Sequence, residues 1–424
     1  MELIELSEKK FEQFASKHQY ATFYQTKEWA KLKSFNGWEY FYVGLLNDSK
    51  KVVGATLLLG KNTPIKKKMF YAPRGFLIDY NDKEILLEFT KKIKEYIKNK
   101  NGIFIKMDPT VIYKQRDING DIVKDGIDNS SLIDFLKDNG YKHYGLSLSS
   151  HVGLQPRWVF ALHLKDRTLE DITSKFNSRT KRSIKKCENH GVVVEKIDNS
   201  KLDVFKSIME HTSTRRGFID RPFSYYQELV NNLGEHCKVY IAYLDTNLAI
   251  DLIDKEVETQ NKKNIELDKN KESKKYEDNI AKCKKIIDDK TNEKEKILKL
   301  ETSNGKKIPL GGAMFLHFGS EMTYLFGGSF EEFMEYPSQY LIQFTAIKEA
   351  LDSKCETFNF YGIDGHLKEN GEMHGVYEFK KGFGGEVREY IGEFDLVINR
   401  FYYLLYKVAF ACYHKLKNIK NKKR

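Results

Sequence analysis

Apolar and polar positions divide the chain into two stretches of the same texture. Trp38–Leu46 and Lys51–Gly60 read as paired strands and Met69–Ile78 as a third. Ile85–Lys98 carries apolar residues at helical spacing, and Ile103–Asp108 reads as a further strand. The second half returns to this order: Lys238–Leu244, Leu310–Gly319 and Met322–Phe326 as strands, Gln339–Leu351 as a helix, Thr357–Tyr361 as a strand. The local texts correspond too. VVGATLLLG followed by MFYAPRGFL matches GGAMFLHFG followed by MTYLFGGSF, and each half runs into an aspartate, Asp108 in IKMDP and Asp364 in NFYGID. The pattern predicts an α/β (α+β) chain of two tandem β-β-β-α-β modules, over 1–150 and 151–394.

Two segments depart from this texture. Asp254–Lys299 has 14 lysines against 12 acidic residues, no glycine or proline, and Tyr276 as its one aromatic. It predicts an antiparallel coiled-coil helical hairpin, over 254–300, inserted in the second module. Tyr276, Ile280, Cys283 and Ile287 form the seam of its second helix, Val257, Asn261 and Ile265 a weaker seam in the first, with a turn near Asn270–Ser273. The second segment, Leu396–Tyr413, is apolar but interrupted by Asn399, Arg400 and Lys407, a poor membrane span. Arg400, Lys407 and His414 recur every seven residues on one polar stripe, which favours a helix packed on the protein over one lying on a membrane.

Composition sharpens the picture in three places. With 424 residues and 41% apolar content the chain can bury two cores. The balance of 71 Lys+Arg against 60 Asp+Glu suits a polyanionic partner. The nearly neutral hairpin contributes little to it and reads as a solvated arm. The basic texture concentrates instead in Lys175–Lys186, where Arg179, Lys181, Arg182, Lys185 and Lys186 crowd a helix predicted to begin near Ser174. The cysteines at 187, 237, 283, 355 and 412 are too scattered for a disulfide framework or zinc site. MELIELSEKKFEQF has no basic segment followed by an apolar core, so no signal peptide is expected, and a reducing cytoplasm is the default.

Nucleophile-elbow, phosphate-loop and zinc-protease motifs are missing from the sequence. Gly382–Gly385 reads as a tight turn, and His317, His366 and His374 as structural residues. The doubled module is similar to the acyltransferase (GNAT-type) fold that usually binds coenzyme A. The basic residue followed by G-x-G/A that would hold a pyrophosphate is not where that fold needs it, which disfavours coenzyme A as donor.

Six stretches together resemble the FemABX family: FYQTKEWAKLK (Phe23–Lys33), YAPRGF (Tyr71–Phe76), the strand with Lys106, Asp108 and Pro109, NSRTKRSIKKCENHGV (Asn177–Val192), RRGFIDRPFSYY (Arg215–Tyr226) and VYEFKKGFGGE (Val376–Glu386). The resemblance extends over nearly the whole chain. It implies two acyltransferase-type modules, a coiled-coil arm inserted in the second, and a C-terminal helix (395–424) returning to complete the first.

The family transfers an amino acid from aminoacyl-tRNA to the stem peptide of a peptidoglycan precursor, lipid II or a UDP-linked muramyl peptide. By motif, Lys33, Arg221 and Tyr225 would hold the anionic precursor, arginine and lysine being suited to phosphate. Phe333 stands where relatives commonly carry tyrosine, with Tyr336 three residues on, so that precursor contact lacks its hydroxyl. Lys380 matches the lysine that steadies the developing oxyanion, Phe379 lines the channel for the tRNA end, and Asp108 is the base or amine-orienting carboxylate. Arg179, Arg182 and Lys185 would touch tRNA phosphates. No cofactor and no metal are expected. Related aminoacyltransferases and a peripheral membrane contact at the inner face of the plasma membrane complete the expected partners. Glycine is the favoured amino acid, with alanine or serine next. A non-catalytic tRNA- or membrane-associated scaffold on the same fold is the alternative.

Overall fold

The computed structural model describes residues 1–149, 152–269, 271, 275–368 and 373–422, with side chains described as far as Cys412. Its strands are β1 (Glu2–Glu5), β2 (Glu39–Leu46), β3 (Val52–Asn62), β4 (Lys68–Ala72), β5 (Gly102–Met107), β6 (Ile112–Gln115), β7 (Tyr141–His143), β8 (Trp158–His163), β9 (Val192–Ile197), β10 (Cys237–Asp245), β11 (Lys307–Phe318), β12 (Glu321–Ser329), β13 (Thr357–Gly362), β14 (Glu386–Tyr390) and β15 (Phe394–Val397). They form two sheets, ordered β1-β2-β3-β4-β5-β15-β7 and β6-β14-β8-β13-β12-β11-β10-β9.

The repeat in the sequence is a repeat in space. β2, β3 and β4 run antiparallel, and the helix Lys83–Asn99 crosses over to β5, which lies parallel to β4. β10, β11 and β12 are joined through Ser338–Asp352 to β13 in the same way. Local chemistry sets these elements. Asp82 caps the first crossover helix by accepting from the Ile85 amide at 3.0 Å, and Leu86, Phe89, Ile93 and Ile97 are buried on one face. Each such side chain contributes about 1.5–3 kcal/mol on burial. The helix over 338–352 is buried on most sides by the second core, so its pattern is apolar almost all round.

Four expectations need correction. The third strand, expected over Met69–Ile78, stops at Ala72, because Pro73 has no N–H to donate and Arg74 adopts φ 59°. The cut at residue 150 does not separate the sheets. β6, from the first half, pairs with β14 in the second sheet, while β15 enters the first between β5 and β7.

The hairpin is longer than its charged core, running over Thr246–Asp268 and Tyr276–Asn304. Asn261 and Ile265 do not lie in its seam. Ile265 is 62% exposed, while Ala249, Ile253 and Gln260 are buried, with Asn264 and Leu267 half-buried further along. Cys283 is buried as the second seam requires. Asn270 and Ser273, the expected turn, fall outside the described residues. Leu396 and Val397 belong to β15, and the last helix begins only at Arg400. It packs on β5 through Tyr403 and Tyr406, whose rings lie 5.3 and 5.2 Å from Phe104.

Candidate active site

The second sheet opens where β12 and β13 part. Their parallel pairing lasts only from Glu321↔Thr357 to Thr323↔Asn359, after which β12 continues on β11 alone. The separation leaves a cavity of about 540 Å³, lined by Tyr324 and Gly327–Ser329 from β12 and by Phe379 and Lys380 from the helix His374–Lys381. Lys380 is 4% exposed, and its Nζ donates to the Gly362 carbonyl on β13 at 2.6 Å. Burial pushes its pKa down to about 7. At neutral pH the group therefore stands between a donor cation and a free amine. Phe379 packs edge-on to Tyr340 at 4.9 Å. Arg215 and Arg216 reach the same cavity from the end of the helix Leu202–Arg216, and neither has a carboxylate partner among the described residues.

Asp108 lies in a second, smaller cavity of about 130 Å³, shared with Arg74, Gln155 and Glu393. One carboxylate oxygen accepts from the Tyr71 hydroxyl and from the Arg74 amide, both at 3.0 Å. The other lies 3.6 Å from the Arg74 guanidinium and has no hydrogen-bond partner among the described residues. Burial, outweighing the attraction of Arg74, pushes Asp108 up to about 6. Asp108 thus ties down the turn after β4 rather than capping one before Pro109. The turn is tight. Gly75 has φ 84°, and a Cβ there would come within 2.9 Å of Pro109 Cα.

Lys380 and Asp108 do not face one another; a short hydrogen-bonded path joins their cavities. Tyr361, next to the Gly362 that holds Lys380, adopts φ 67° at an irregularity in the β8–β13 ladder. Its hydroxyl donates to the Gln155 side chain at 2.5 Å and lies 2.6 Å from the Tyr24 hydroxyl. Arg74 sits over the rings of Tyr24 and Tyr390, 5.7 and 5.6 Å from their centroids. Two left-handed non-glycine residues, Arg74 and Tyr361, thus meet where the modules join, and strained backbone of this kind gathers at functional sites.

The structure brings Lys33, Arg221 and Tyr225 together through the contact of helices Lys27–Ser34 and Phe223–Leu233. Burial lowers the Lys33 pKa first, and repulsion from Arg221 and Lys61 lowers it further. Neither Lys33 nor Arg221 has a carboxylate partner among the described residues. Asp220 fixes the loop by accepting from Lys206 Nζ at 2.5 Å and from the Tyr226 hydroxyl at 2.6 Å. Arg221 lies 5.5 Å from the Tyr225 ring, and the Phe326 ring lies 6.4 Å from the same ring.

Phe333 and Tyr336 do not join this cluster. Both are buried in the second core, and Tyr336 meets the His190 ring at 6.1 Å on the hairpin side, apart from Lys33 and Arg221. Arg179, Arg182 and Lys185 are exposed on the helix Ser178–Asn189, capped by Asn177 and not by Ser174, which ends the preceding helix. The start of this helix docks close to Lys380. The Asn177 amide donates to the Gly382 carbonyl at 2.9 Å, and burial raises the Tyr340 pKa against the opposing pull of nearby Arg179.

Sequence reasoning missed the roles of Arg74, Gln155, Tyr361, Arg215 and Arg216. The paired arginines before Gly217 were the available signal. Among the described residues no group of three or more His, Cys, Asp or Glu is placed to hold a metal ion.

The model of the FemAB family matches residues 6–410. The chain is 30% identical over 431 residues to Aminoacyltransferase FemA of Staphylococcus aureus (strain MRSA252), covering 100% of both chains. It is 29% identical to that of strain N315, again over 100% of both. The crystal structure of FemX superimposes with a TM-score of 0.82 at 26% identity, covering 96% of this chain and 99% of that one.

Proposed function

Since this chain belongs to the FemAB family and is an aminoacyltransferase, we propose that it moves one amino acid from aminoacyl-tRNA to a side-chain amine on the stem peptide of a peptidoglycan precursor. The observation that carries the reading is Lys380: a buried lysine without a carboxylate partner among the described residues, in the wall of a cavity that Arg215 and Arg216 also line. That cavity suits an uncharged ester on an anionic chain. Phosphates at Arg215 and Arg216 raise the local negative potential, which favours protonated Lys380 when donor is bound.

The reaction balances without a covalent enzyme intermediate. The acceptor nitrogen attacks the ester carbonyl, the carbon–oxygen bond to the tRNA ribose breaks, and the amine proton leaves with the ribose hydroxyl. Lys380 stabilises the oxyanion that forms between these events, and Phe379 walls the ester end. Lys33, Arg221 and Tyr225 hold the precursor's phosphates, of a lipid-linked or nucleotide-linked form. Asp108 acts at one remove, positioning the Tyr71–Phe76 turn and, through Gln155, the junction beside Lys380. Arg179, Arg182 and Lys185 extend the phosphate path along the tRNA. Glycine is the favoured donor residue, alanine and serine the next. The enzyme would work in the cytoplasm at the inner face of the plasma membrane.

Incubation with glycyl-, alanyl- or seryl-tRNA and either form of precursor, read by mass spectrometry, tests the reading. A gain of one residue on the precursor is expected. No gain across the set removes the reading.

A further inference from the structure

The last helix presents the wrong face to solvent. In an ordinary surface helix the apolar stripe faces the protein and the charges face water. Here Lys407 turns inward, its Nζ donating to the Tyr144 hydroxyl and lying 3.8 Å from the fully buried Asp395 carboxylate. Tyr403 and Tyr406 pack inward beside it. The outward positions are Phe401, Leu404, Leu405, Val408 and Phe410, exposed by 66, 64, 42, 63 and 49%. Phe401, Leu404, Leu405 and Val408 follow helical spacing, and the stripe continues through exposed Ala411 and Cys412.

We propose that the outward face carried by Phe401, Leu404, Leu405 and Val408 on the last helix is a docking surface for an anionic lipid membrane. Charge identifies the partner. From Arg400 to Arg424 the sequence carries eight Lys and Arg and no Asp or Glu, so the apolar face is followed by a purely cationic stretch. A second folded copy would set those cations against themselves, whereas anionic headgroups neutralise them and the acyl boundary takes the apolar side chains.

A second apolar region adjoins the face through Tyr144. Leu146, Leu148, Val152 and Leu154 on the following loop are exposed by 38, 42, 58 and 49%. Tyr144 and Val152 also line the cavity of Asp108. A surface that engages both regions lies against the side of the molecule from which that cavity opens. No helix among the described residues is long and apolar enough to cross a membrane, so the contact is peripheral. The inference deepens the proposed location but rests on the helix and its charge, not on the transfer reaction.

The test needs no substrate. Full-length protein is floated with vesicles of phosphatidylcholine alone or mixed with phosphatidylglycerol, at low and high salt. Flotation with the anionic vesicles, weakened by salt, is expected. Leu404→Ser with Val408→Ser should lower partitioning at least about tenfold while leaving Tm unchanged, since both side chains are exposed. Cys412, the one exposed cysteine of the five, gives an independent readout: an environment-sensitive fluorophore attached there should shift to the blue on anionic vesicles. Failure of the wild type to float, an unmoved fluorophore, or equal flotation of the double variant overturns the proposal. So does a dimer that the double variant dissolves without changing vesicle binding.

Discussion

Lys380 Nζ donates to the carbonyl oxygen of Gly362, the last residue of β13, at 2.6 Å. A lysine held there by one backbone oxygen, with no carboxylate partner among the described residues, is costly to the folded state, and that cost is measurable. Its pKa is about 7 in the folded protein against an ordinary 10.5, so between these values the unfolded chain binds the extra proton. Stability therefore rises as pH climbs from 7 to 10.5, and the full penalty applies below 7. Lys380→Met should stabilise the protein by about 2–4 kcal/mol at pH 7, with the gain fading toward pH 10.5. Denaturant titration of both proteins across that range checks it; a destabilised variant contradicts the burial argument.

The pH dependence of transfer should have two separable limbs. kcat/KM is expected to rise through about pH 6 as Asp108 loses its proton and to fall above about pH 7 as Lys380 loses its own. Because the two groups occupy different cavities, Asp108→Asn should abolish the acid limb and leave the alkaline one in place. Bound donor phosphates should move the alkaline limb of kcat upward from that of kcat/KM.

Precursor recognition should reside in binding. Lys33→Ala and Arg221→Ala each remove a charge-assisted contact of about 1.5–3 kcal/mol, which predicts a KM for precursor raised roughly ten- to hundredfold with kcat little changed. Added salt should weaken the wild type more than either variant. Steady-state kinetics with precursor varied at saturating aminoacyl-tRNA decides this.

Phe333→Tyr, though it restores the residue common in relatives, should not lower KM for precursor. Phe333 is 7% exposed within the second core, so the new hydroxyl would be buried. A fall in melting temperature with unchanged KM is expected, the cost being about 1–3 kcal/mol. A lower KM would return the residue to the precursor site.

Gly75→Ala should destabilise by about 2–3 kcal/mol, because φ is 84° and the new Cβ meets Pro109 Cα and Cβ, both at 2.9 Å. The same change displaces the turn that Asp108 holds, so kcat/KM should fall with it. Thermal melts and transfer rates on one preparation test both effects.

The strands and crossover helices were legible because each buries a regular apolar pattern. β3, for example, shows a continuous apolar run because both of its faces are covered, Leu57 and Leu59 by one core and Leu58 by another. The strand exchange of β6 and β15 was not legible, since four-residue strands carry too few positions to show which sheet they join. In the hairpin, polar Gln260 and Asn264 occupy seam positions while Ile265 faces water, so hydrophobic spacing pointed to the wrong register.

In the site, Lys33, Arg221, Tyr225, Phe379 and Lys380 were reached through motif resemblance. Tyr361 and Gln155 were hidden because their roles depend on a left-handed backbone and on contacts across 206 residues of sequence. Phe333 was drawn from its nearness to a glycine turn, which says nothing about where its side chain packs.

In the proposed reaction Lys380 stabilises the oxyanion formed when a precursor amine attacks an aminoacyl ester. Single-turnover transfer from charged tRNA to precursor, comparing wild type with Lys380→Met at pH 7, tests it most directly. A rate lowered by about 10²–10³-fold with tRNA and precursor binding retained is the predicted result. An undiminished single-turnover rate in Lys380→Met would contradict it.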